Sequence, residues 1–161
     1  MKIHYILSIA FFLRLIPVIV PIIHPLEPDS GHYNQIANDL LSGKGFGNVI
    51  TRPPAYPVFL AGIYSVFGDK NFTAVKVIQA ILSTLTVYLV FLLTKKLTSS
   101  QTALFASFIC AIDPFQIYFT GKILTETVFI FLLVLLIYLF EISFNYTTTG
   151  RSEVYLHASS V

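Results

Sequence analysis

Of 161 residues, 55% are apolar, 15% aromatic and only 11% charged, against about 25% charged in an ordinary soluble domain. That composition excludes a soluble globular class and points to an integral membrane protein. A formal net charge of +2, scattered along the chain, offers nothing to a nucleic acid, and the single Cys110 inside an apolar run leaves neither a disulfide framework nor a cysteine metal site.

The first element is an apolar run over 5–23, interrupted only by Ser8, Arg14, Pro17 and Pro21. At about 1.5 Å per residue it is long enough for a hydrocarbon core of about 30 Å. We read it as a span and not as a cleaved signal peptide, because Ile-Ile-His-Pro-Leu makes a poor cleavage site. Arg14 falls near its middle, where a charge costs about 2.5–3.5 kcal/mol. It is therefore expected to face protein or water, with Asp113, Glu141 or a helix outside this chain as its partner.

A polar, acidic stretch, Glu27-Pro-Asp-Ser-Gly-His-Tyr33, follows abruptly. After it Tyr33, Ile36, Ala37, Leu40 and Leu41 recur at helical spacing between polar neighbours, which predicts an amphipathic helix over 31–42 lying on the membrane. A second short apolar helix is predicted over 55–67, opening at Pro57 and stopped by Gly68. At about 20 Å it is too short for an ordinary span. Three further spans are expected over 73–94, 103–119 and 124–144, followed by a polar tail over 146–161 without regular structure.

Sidedness follows from Lys95 and Lys96, which close the 73–94 segment, because short Lys-rich loops stay in the cytoplasm. With these lysines and the amino terminus inside, 55–67 cannot cross. The loop 24–72 then lies outside with its two juxtamembrane helices, Lys122 and Glu126 share that outer face, and the tail is cytoplasmic. The expected fold is an all-α polytopic bundle of about four spans.

Four features stand in order along the chain: Pro28-Asp-Ser-Gly-His-Tyr33, Leu40-Leu-Ser-Gly-Lys-Gly-Phe46, Arg52-Pro-Pro-Ala-Tyr-Pro-Val-Phe-Leu-Ala61 and Gly121-Lys-Ile-Leu-Thr-Glu-Thr-Val-Phe129. Together they resemble the polytopic GT-C glycosyltransferases that use polyprenyl-phosphate sugars, in the protein-mannosyltransferase-like and aminoarabinose-transferase-like branch. The resemblance spans residues 5 to 144 and implies the amino-terminal part of such an enzyme, with further spans supplied by more chain or by a partner chain. It implies an inverting transfer from a polyprenyl-phosphate-linked sugar to a protein, lipid or glycan acceptor, on the outer face of a bacterial or archaeal plasma membrane.

Under that reading Asp29 is the general base, taking the proton of an acceptor hydroxyl as its oxygen attacks the anomeric carbon. A phosphate leaves without an acid's help. The plainer reading of Asp29 is a helix N-terminal cap. Glu126 is a second acid that shapes the site, or else an i, i+4 partner of Lys122. Arg52 suits two-point contact with the donor phosphate and Lys122 a point charge, with interfacial snorkelling as the alternative. Tyr33 and Tyr56 read first as interfacial aromatics and, as sugar platforms, complete the substrate-binding set.

No cofactor is expected. A divalent metal held by His24, Asp29 and His32 is the weaker alternative, since those offsets match no standard zinc spacing. Asn71-Phe-Thr73 and Asn145-Tyr-Thr147 fit the glycosylation sequon. Two rival functions share this sequence: a non-catalytic membrane module of the same ancestry, and a small transporter component. The second would need polar groups lining the spans, where only Arg14, Gln79 and Asp113 stand out.

Overall fold

The computed structural model describes residues 2–20, 27–46 and 52–158, with the backbone alone for 145–158. These residues form seven helices and no strand: α1 (Ile3–Ile19), α2 (Pro28–Leu41), α3 (Ala55–Phe67), α4 (Phe72–Leu97), α5 (Ser100–Ile112), α6 (Pro114–Thr120) and α7 (Glu126–Ala158). The all-α class is as expected. Phe72–Leu97 and Glu126–Phe144 are long and apolar enough to cross a membrane, and α5 with α6 makes a third if the bent pair counts as one.

Each boundary has a local cause. Pro28 occupies the first helical position of α2, where its fixed φ and missing N–H cost nothing, so the helix begins three residues before the predicted 31–42. Helix α3 matches the expected 55–67 in both bounds, although it opens at Ala55 and not at Pro57. Gly68 ends it at φ 94°, a left-handed value that other residues reach only under strain. Asn71 caps α4 by accepting from the Ala74 amide at 3.0 Å and donates to Phe67 O at 3.0 Å, which commits the side chain of the first sequon to the backbone. Asn145, of the second, has a side chain outside the described residues.

The expected span 103–119 is not one rod. α5 and α6 meet at Asp113 with a bend of 51°, because Pro114 cannot donate to the preceding turn and its ring clashes with it. The Asp113 side chain then caps α6, accepting from the Phe115 amide at 3.0 Å. The tail also departs from expectation, since α7 runs on to Ala158. Extending a formed helix needs no new nucleus, and Gly150 is a penalty of only about 1 kcal/mol. The first expected span is helical over Ile3–Ile19, and 21–23 lie outside the described residues.

Helix α4 is the hub, touching α1, α3, α5, α6 and α7, while α2 packs on α3. One core gathers Tyr33, Tyr56, Leu60, Tyr64, Ile123 and Val128. The other joins Ile6 and Ala10 of α1 to Val87 and Ala111. Ala103, Ser107 and Ala111 recur at four-residue spacing and are all buried, the small-residue stripe that lets membrane helices approach closely.

Arg14 is fully buried. Its guanidinium donates to Ser83 Oγ at 2.6 Å, to Ala111 O at 2.8 Å, to Cys110 O at 3.1 Å and to Ala10 O at 3.2 Å. It faces protein as expected, but its hydrogen-bond partners among the described residues are not the carboxylates of Asp113 or Glu141. The break after α5 orphans the last carbonyls of that helix, and Arg14 satisfies them at the negative end of the helix dipole. Beside it, Gly121 passes so near Pro17 that a Cβ would lie 2.5 Å from the proline Cβ.

Candidate active site

Because Pro28 takes the first helical position, Glu27 and not Asp29 is the α2 cap residue, and Glu27 makes no side-chain cap bond. The capping alternative for Asp29 therefore gives way. Its carboxylate turns to Arg52 instead: Nη1 donates to Oδ2 at 3.1 Å and Nη2 to Oδ1. The Arg52 guanidinium also lies 5.7 Å from the Tyr33 ring centre, with Nη2 3.5 Å from His32 Nδ1. Both charged side chains remain partly open to solvent, Asp29 at 47% and Arg52 at 27%, so a ligand can reach them.

Lys122 does not pair with Glu126. It donates to Glu27 Oε1 at 3.2 Å and stands 5.0 Å over the Tyr118 ring. Burial pulls the ammonium toward neutrality, but its contacts with Tyr118 and Glu27 outweigh that effect and hold its pKa above the ordinary lysine value. Glu126 sits in the first turn of α7. Its Oε2 is buried and has no hydrogen-bond partner among the described residues, a costly state for a carboxylate oxygen unless something else completes it.

Tyr33 and Tyr56 are buried and meet edge to face, with ring centres 5.2 Å apart. They are thus packed side chains and not interfacial aromatics, and the Tyr33 ring lies beneath Arg52. Tyr56 donates its hydroxyl to Gln79 Oε1 at 2.8 Å. Burial, followed by the fields of Tyr64, Glu126 and Tyr33, pushes its pKa far above the ordinary tyrosine range, so it stays a neutral donor. Gln79 in turn donates to Thr120 O at 3.1 Å and to Lys122 O at 2.7 Å.

Five of the six candidate residues are therefore linked by contacts, and Glu126 stands near them, close enough for its charge to act on Tyr56. Asp29, Arg52, Tyr33 and Tyr56 are joined by direct contacts, and Tyr56 continues through Gln79 to the loop bearing Lys122, next to Glu126. Two members escaped the sequence reading of the site. Glu27 gave no signal beyond lying in the acidic motif, whereas Gln79 gave one, an amide well inside an apolar segment. Among the described residues no group of three or more His, Cys, Asp or Glu could hold a metal ion, and His24 lies outside them.

An apolar helical bundle carrying such a cluster of acids and cations fits an integral membrane glycosyltransferase. Residues 51–156 match the family model described as dolichyl-phosphate-mannose-protein mannosyltransferase, and the chain belongs to that family, which is of GT-C type and uses polyprenyl-phosphate sugars. The matched stretch holds Arg52, Tyr56, Lys122 and Glu126, while Asp29 and Tyr33 precede it. No curated protein and no solved structure matches the chain.

Proposed function

We propose that this protein moves a sugar from a polyprenyl phosphate to an acceptor hydroxyl with inversion, on the extracytoplasmic face of a bacterial or archaeal plasma membrane. The observation that carries this reading is the two-point pairing of Asp29 with Arg52, with the loop of Lys122 tied through Gln79 and Tyr56 to the same cluster. The acceptor oxygen attacks the anomeric carbon, the bond from that carbon to the phosphate oxygen breaks, and polyprenyl phosphate departs with the bonding electrons. Asp29 receives the acceptor's proton. Arg52 orients the carboxylate through one hydrogen on each Nη, and a guanidinium carries five N–H donors in all, so the same group can also meet a phosphate. Lys122, held protonated, adds charge for the departing phosphate.

The outer face is supported by the layout of α4. Gln79 reaches the loop of Lys122, and Lys95 lies ~24 Å further along at ~1.5 Å per residue, near the end that the positive-inside rule assigns to the cytoplasm. Vesicles containing the full chain, given dolichyl-phosphate mannose and a serine- and threonine-containing peptide, test the proposal. The parent should glycosylate the peptide, with the opposite anomeric configuration in the product. Absence of both donor binding and transfer in the parent would favour the reading as a non-catalytic relative.

A further inference from the structure

Gln79 ties together the two halves of the cluster. It is fully buried in α4, and all of its side-chain hydrogen-bonding groups are engaged. The carbonyl oxygen accepts from Tyr56 of α3, and the amide nitrogen donates to the carbonyls of Thr120 and Lys122. An amide in an apolar segment is costly to bury without partners, and here the partners come from both sides of the site. Tyr56 packs edge to face on Tyr33, over which Arg52 lies. Thr120 ends α6 and Lys122 belongs to the turn between α6 and α7, which presents the Lys122 ammonium to Glu27 and sets the start of the helix carrying Glu126.

We propose that Gln79 is a positioning residue, which sets the register of the Lys122 and Glu126 turn against the Asp29 and Arg52 pair through its bonds to the turn carbonyls and to Tyr56. This rests on the glycosyl-transfer reading above, but its geometric part does not. The turn 121–125 is too short to stabilise itself, and the bond from Gln79 to the Lys122 carbonyl, at 2.7 Å, restrains it from α4. A glutamine also fits better than a glutamate would, because an ionised carboxylate accepts only and would face two carbonyl oxygens.

The test uses the full chain in lipid nanodiscs, with Gln79→Leu, Gln79→Glu and Tyr56→Phe. Hydrogen exchange of the amides over 121–125 is measured first, since it is independent of any activity. Loss of a buried hydrogen bond of about 1–2 kcal/mol should raise exchange there by about tenfold, with the rest of α4 still protected. Gln79→Leu should show the full effect and Tyr56→Phe a smaller one, because the phenylalanine keeps the ring packing and both turn carbonyls keep their donor. Binding of dolichyl-phosphate mannose should weaken in the same order. If 121–125 exchanges as in the parent in a folded Gln79→Leu variant, the positioning role is wrong. If Gln79→Leu fails to fold, Gln79→Glu and Tyr56→Phe still decide: parent-like exchange in both rejects the role. Faster exchange with no donor binding even by the parent would uphold the clamp and reject the transferase reading on which its function rests.

Discussion

Arg52 and Asp29, 23 residues apart in the chain, meet through both guanidinium Nη atoms and both carboxylate oxygens. A pair this open to water contributes only about 0–1 kcal/mol to stability, so its main effect is geometric. It holds a carboxylate in one orientation in the first turn of α2.

Asp29→Asn should therefore leave the thermal unfolding midpoint nearly unchanged while lowering sugar transfer by about 10²–10⁴-fold, the usual effect of losing a general base. The amide keeps the shape but cannot take the proton. Turnover and donor binding, measured side by side, check this: near-parental turnover in the variant would remove Asp29 from the chemistry.

Arg52→Lys should weaken donor binding despite the retained charge, and Arg52→Ala should weaken it further. One ammonium cannot reproduce a planar fork that holds Asp29 while meeting a phosphate. Affinity for dolichyl-phosphate mannose at low and high salt separates contact from field, since exposed charges are screened within about 8–10 Å at physiological ionic strength. Equal affinity in parent and Arg52→Ala would leave Arg52 as a structural partner of Asp29 alone.

Sidedness can be read by single cysteines placed in a Cys110→Ser background. A membrane-impermeant thiol reagent should label Lys44→Cys and Asp69→Cys from outside, and Leu97→Cys only from the cytoplasm. Cytoplasmic labelling at position 69 would turn α3 into a true span and reverse the face assigned to everything that follows.

Arg14→Met should destabilise the protein by at least about 2 kcal/mol, since Ser83 and the carbonyls of Cys110 and Ala111 would lose their shared donor where water cannot replace it. Thermal unfolding in detergent measures the loss. Arg14→Lys should recover only part of it, because the Arg14 bonds reach both Ser83 of α4 and the end of α5.

The buried tyrosines of α3 make stability depend on alkali. Burial and then the charge of Asp69 push the Tyr64 pKa up from 10.0 to about 12, and Tyr56 moves in the same direction. Below the unfolded value of about 10 neither state ionises, and their contribution is flat. Between there and the folded value only the unfolded chain releases the proton, so stability should fall as pH rises from 10 toward 12. Chemical denaturation of Tyr64→Phe should show a shallower fall over that window.

What could be read from the sequence was what local rules govern. The spacing of Tyr33, Ile36 and Ala37 revealed the buried face of α2, and the apolar stretch before Gly68 gave α3 its bounds. Lys122 shows where such rules stop. The i, i+4 rule offered Glu126 as its partner, but α7 begins only at Glu126, so Lys122 is not on that helix, and its partner Glu27 lies 95 residues away. Asp29 lost its capping role to a two-residue shift, which put the cap at Glu27 and was set by Pro28. Pro114 carried a readable warning, since a proline inside an apolar run marks a break, yet nothing local announced that Arg14 would serve the helix end it creates.

That service orders the assembly of the protein. α1 is synthesised long before α5, so for a time Arg14 is a cation in an apolar segment without the carbonyls of Cys110 and Ala111, and α5 later arrives with a ragged end that Arg14 finishes. Neither segment is at ease alone; each is a half-made joint awaiting the other, with Ser83 of α4 the first to arrive. Membrane insertion would then be least forgiving in the interval before α5 docks, which is when a quality-control protease or a membrane chaperone would find the chain most open to capture.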